Sequence, residues 1–71
     1  MSDQLLLTTP CLRAIVDLTA LHPDGRARVR HLDGDAHEVL VGHRQFNVND
    51  AGVAWEIEFD PVTRRMRQVF L

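Results

Sequence analysis

Four histidines and a single cysteine are the residues of this 71-residue chain best suited to coordination or nucleophilic chemistry. Imidazole nitrogens from adjacent strands can converge on one transition-metal ion. His31 and His37 are spaced for that, because they flank the short loop Asp33-Gly34-Asp35 and face each other if it closes a hairpin. Two ligands are not a site, since zinc takes four protein ligands or three and a water. His22 belongs to a turn, His43 lies beyond a bend, and Cys11 has no second ligand at a zinc-finger spacing. The sequence therefore assigns no metal and no cofactor. Asp33 and Asp35 lack the ligand series of a calcium loop and read as turn residues. Ser2 is the only serine, and the chain has neither a Gly-rich phosphate loop nor a nucleophile spaced to meet a base. A non-enzymatic protein is expected, with Cys11 as a small buried apolar residue.

All eight basic residues are arginines, set against ten acidic ones, for a net charge of -2. That balance gives no overall positive field of the kind strongly basic nucleic-acid binders carry. Locally, Arg26, Arg28 and Arg30 alternate on one strand face and, with Arg65 and Arg67, make a stripe that can grip phosphate. Glu38, Glu56 and Glu58 are expected opposite three of these arginines, which leaves Arg26 and Arg28 the freest. Tyrosine is absent, and Phe46, Trp55, Phe59 and Phe70 fall on inferred core faces, so base-stacking platforms are scarce.

The elements that position these residues read as short strands joined in succession. At 71 residues the chain fits one domain with a thin core, and its 45% apolar content excludes a disordered tail. Residues 53–59 alternate Val53, Trp55, Ile57 and Phe59 with Ala54, Glu56 and Glu58, the period of a half-buried strand. Asp60-Pro61-Val62-Thr63 is a turn. With Phe59 opposite Arg64, it sets Ile57 against Met66, Trp55 against Gln68 and Val53 against Phe70, and on the other face Glu58 against Arg65 and Glu56 against Arg67. Residues 26–32 and 36–41 form a second hairpin pairing Val29 with Val39, Ala27 with Val41, His31 with His37 and Arg30 with Glu38.

Residues 12–21 read as a strand ahead of the turn His22-Pro23-Asp24-Gly25, with Ala14, Val16, Leu18 and Ala20 competing with Ile15, Thr19 and Leu21 for the inner face. Inward parity changes between Val41 and Phe46, which predicts a bulge or sharp bend near Gly42. Asn49-Asp50-Ala51-Gly52 then turns the chain so that Phe46 meets Trp55 and Val48 meets Val53. Ser2 or Asp3 caps a brief helical turn through Leu7, or that segment adds an edge strand.

Five antiparallel strands with a kinked third strand predict a mainly β fold, a small five-stranded, strongly bent barrel. In element order the chain resembles Sm-like barrels. The resemblance implies a bent five-stranded sheet after a short N-terminal helix and assembly by edge-strand pairing. The Arg-Gly pair of the second Sm motif is absent, and the nearest string, Gly42-His43-Arg44, has another order, so the family's RNA-contacting residues do not carry over.

Val69, Phe70 and Leu71 continue an apolar strand to the last residue and invite pairing with another chain. The expected function is a non-enzymatic binding or assembly module, a homo-oligomer or protein partner, whose interface uses Val69, Phe70 and Leu71 with Leu5, Leu6 and Leu7. The alternative is an RNA-binding Sm-like module contacting phosphate through Arg26, Arg28 and Arg44. A lone cysteine, the lack of a basic export signal and the lack of a long apolar run point to the cytoplasm and away from membranes.

Overall fold

Thr8 starts the first element. A computed structural model describes residues 7–71, and in it the Thr8 hydroxyl accepts the Cys11 N–H at 3.2 Å while Pro10 occupies the first turn, where its missing N–H costs nothing. The helix α1 runs Thr9–Thr19. Residues 12–21 are therefore mostly helix and not the expected strand. The two-residue alternation of small and apolar side chains there was coincidental. The period that governs burial is helical, with Cys11, Ile15 and Leu18 turned inward and Leu12 and Val16 outward. His22-Pro23-Asp24-Gly25 turns as expected, closed by the Gly25 N–H on the His22 carbonyl.

Five strands follow: β1 (Arg28–His31), β2 (Ala36–Val41), β3 (Arg44–Asn49), β4 (Ala54–Asp60) and β5 (Arg65–Phe70). They form one antiparallel sheet in sequence order, β1-β2-β3-β4-β5, so β1 and β5 are its outer strands and the sheet is not closed. The expected strand number survives for compensating reasons: one strand became α1, and the supposed kinked strand is β2 and β3. No bulge sits near Gly42. Gly42 and His43 are the two-residue loop of a hairpin in which Val41 faces Arg44. Gly42 takes φ 61° and His43 does not go positive, the pattern of a II′ turn.

The β1–β2 hairpin has its expected register, with Val29 opposite Val39, Arg30 opposite Glu38 and His31 opposite His37. Ala27 precedes β1. Two registers differ downstream. Asn49 pairs outside the β3–β4 loop through its N–H on the Val53 carbonyl, and its side-chain oxygen accepts from Ala51 and Val53. The loop is thus three residues ending in Gly52 at φ 83°. Phe46 consequently faces Glu56, and Val48 faces Ala54, one residue away from the expected Phe46–Trp55 and Val48–Val53 pairs.

A one-residue slip exchanges the faces of a strand. Trp55, Ile57 and Phe59 therefore lie on the side away from α1. In the last hairpin Arg64 enters the left-handed region at φ 57° and donates to the Asp60 carbonyl, lengthening the turn. Asp60 then pairs with Arg65, Phe59 with Met66, Ile57 with Gln68 and Trp55 with Phe70, two residues from the expected register but on the same faces.

The core is a single layer between α1 and β2–β3: Cys11, Ile15 and Leu18 against Val39, Val41, Phe46 and Val48, with Leu7, Val29 and Ala54 at its margin. The expected helical turn or edge strand before Leu7, and the interface residues Leu5 and Leu6, lie outside the described residues. Among the described residues no helix is long and apolar enough to cross a membrane.

Candidate functional site

Two arrangements stand out from the scaffold. The first is the sheet face turned away from α1. Alternation along β4 and β5 places Trp55, Ile57, Phe59, Met66, Gln68 and Phe70 there together. Trp55 and Phe70 rings meet at 5.8 Å, yet Phe59 and Met66 are each 58% exposed and Phe70 68%. These side chains were expected beneath the sheet, and the shifted β3–β4 register is what brings them outside. Trp55 Nε1 and Asn47 Oδ1, a donor and an acceptor without a partner among the described residues, sit buried on opposed residues of this face.

The charged pairs occupy mostly the other face. Arg44 closes a two-pronged bridge on Glu56, with both N···O distances 2.8 Å, and lies over the Phe46 ring. That guanidinium holds the Glu56 carboxyl below the usual carboxylate range. Arg67 binds Glu58 at 2.9 Å, and Arg30 reaches Glu38 at 3.3 Å across the face opposite α1. The Glu58–Arg65 and Glu56–Arg67 matches expected from sequence are thus exchanged for Glu58–Arg67 and Glu56–Arg44. Of the three arginines expected to contact phosphate, Arg44 is engaged by Glu56, whereas Arg26 and Arg28 are exposed beside the His22–Gly25 turn. Val69, Phe70 and Leu71 are exposed, and Leu7 packs on the core.

The second arrangement lies where the first turn of α1 meets the β3–β4 loop. The Thr8 hydroxyl donates to the Asp50 carbonyl at 2.6 Å, and Pro10 lies directly over Gly52. This contact brings Cys11, which is fully buried, and Asp50 to His37, which is 3% exposed. His37 Nε2 lies 3.3 Å from Asp50 Oδ1, and its Nδ1 lies 3.5 Å from Nδ1 of His31. Ligating atoms of Cys11, His37 and Asp50 all fall within 4.8 Å of one another. Burial, and after it the Asp50 carboxylate, push the Cys11 thiol above its ordinary value. Sequence reasoning found the His31–His37 pair but missed Cys11 and Asp50. No spacing joins a helix residue to a loop residue thirty-nine positions later; the packing of α1 on β2 and β3, with Thr8 and Pro10 against the β3–β4 loop, brings them together. Compared with protein-family models, with curated proteins and with solved structures, the chain matches none.

Proposed function

We propose that the protein is a non-enzymatic assembly module that pairs with a second copy of itself along β5. The observation that carries this reading is the outer edge of β5, which no other described strand pairs. The Leu71 N–H donates to the Ala54 carbonyl. By antiparallel alternation Leu71, Val69 and Arg67 direct their backbone groups to β4, and Phe70, Gln68 and Met66 direct theirs outward. The same outward-directed residues carry the exposed Met66 and Phe70 side chains.

A two-fold axis at Gln68 sets Met66 against Phe70 of the partner subunit and makes about six backbone hydrogen bonds. It also joins the two apolar faces into one. Shifting the axis to Arg67 would oppose two guanidinium groups, which disfavours that register. The opposite edge is less suited. β1 is only four residues long against six for β5, and a short edge strand resists pairing. An Sm-like closed barrel would need β5 to meet β1 within one chain, so it competes with this pairing for the same edge.

Light scattering across a concentration series tests the proposal. A dimer is expected, and Gln68→Pro, which removes an outward N–H that the monomer does not use, should leave a folded monomer. A monomer at every concentration overturns the reading. Retention of RNA that collapses as salt rises would favour the RNA-binding alternative through Arg26 and Arg28.

A further inference from the structure

We propose that Cys11, His37 and Asp50 form a binding site for one divalent transition ion of the zinc type, with a fourth coordination position open toward solvent. The three donors come from separate elements, α1, β2 and the β3–β4 loop, and their ligating atoms already lie within 4.8 Å of one another. Ligands around a tetrahedral zinc ion, bonded at about 2.0–2.3 Å, stand somewhat closer than that. A contraction of up to roughly 1 Å would bring the three donors into the shell, with the fourth position still open. Sulfur, imidazole nitrogen and carboxylate oxygen together suit a borderline ion and do not suit magnesium or calcium, which take oxygen donors.

Charge points the same way. Once an ion is bound and the Cys11 thiol has given up its proton to solvent, thiolate and Asp50 carboxylate beside a neutral imidazole would together balance the two positive charges of a divalent ion. The geometry also assigns the two ring nitrogens of His37. Nε2 faces Asp50 and would take the ion, while Nδ1 faces His31 Nδ1 at 3.5 Å. A ligating histidine is commonly oriented by a partner on its other nitrogen. His31 is thus a positioning residue and not a ligand. Cys11 and His37 are buried, whereas the Asp50 side chain is 45% exposed, so the open position lies on the Asp50 side.

Cobalt titration of the metal-free full chain is the direct test, because a thiolate ligand gives Co2+ a near-ultraviolet charge-transfer band and tetrahedral geometry gives intense visible bands. One equivalent should bind more tightly than about 1 mM, with both spectral features, and Zn2+ but not Mg2+ should displace it. Cys11→Ser should abolish the charge-transfer band, and Asp50→Asn should weaken Zn2+ binding about tenfold or more. His31→Gln should weaken it about tenfold while the band remains. His43→Gln should change nothing. Asp50 is exposed and its carbonyl still receives Thr8, so Asp50→Asn reports even if Cys11→Ser does not fold. Binding weaker than about 1 mM, a spectrum without the thiolate band, or unchanged affinity in Asp50→Asn overturns the proposal.

Discussion

Glu56 and Asp60 show how single side chains set the conditions under which the sheet is stable. The Arg44 guanidinium lowers the Glu56 pKa, and the N–H groups of Val62 and Thr63, donated to the Asp60 carboxylate, lower that of Asp60. A carboxyl whose folded value lies below its unfolded one adds stability above the unfolded value and loses it as pH falls through the folded one. Urea midpoints should therefore fall between about pH 5 and about pH 3, and Glu56→Gln should flatten that dependence. Gly52 offers a second test. A Cβ there would lie 2.9 Å from the Pro10 carbonyl oxygen at φ 83°, whereas at Gly34, φ 72°, nothing lies within 4 Å. Gly34→Ala should cost about 1–2 kcal/mol for the left-handed backbone alone. Gly52→Ala should cost a further ~1–3 kcal/mol from the collision, read from the difference in denaturant midpoints.

Among the elements, α1 separates two readings of one stretch of sequence. Ile15 is 5% exposed and Val16 57%, so Ile15→Ala should destabilise by about 2–5 kcal/mol and Val16→Ala by under about 1 kcal/mol, in chemical unfolding. A strand would put Ile15 and Leu18 on opposite faces, whereas both are buried here, so Leu18→Ala should cost as much as Ile15→Ala. The β1–β2 hairpin was legible because its glycine loop, apolar pairs and Arg30–Glu38 pair agree on one register. The β3–β4 register was not. Whether Asn49 lies inside the loop or pairs across it depends on its side chain capturing the Ala51 and Val53 N–H groups, and composition does not encode that choice. The Cys11–His37–Asp50 cluster was illegible for a different reason: one end rests on a helix the alternation concealed.

At the scale of the molecule, α1 covers one side of β2 and β3, and among the described residues no layer covers the opposite side of β4 and β5. Fully burying a side chain such as Met or Phe is worth about 1.5–3 kcal/mol, so Met66→Lys or Phe70→Lys should weaken self-association about tenfold or more, measured by sedimentation equilibrium. Met66→Lys should leave the monomer's unfolding midpoint nearly unchanged, because that side chain is exposed in it, whereas Phe70→Lys also loses the Trp55 ring contact.

The sheet order that follows the chain order carries a kinetic consequence. Every strand finds its mate across a loop of a few residues, so closing each hairpin demands little chain entropy. Most ladder bonds can form by successive zippering, each hairpin presenting the edge on which the next one grows. Docking of α1 onto β2 and β3 is the step that spans the greatest sequence distance, and it is the natural bottleneck of the search.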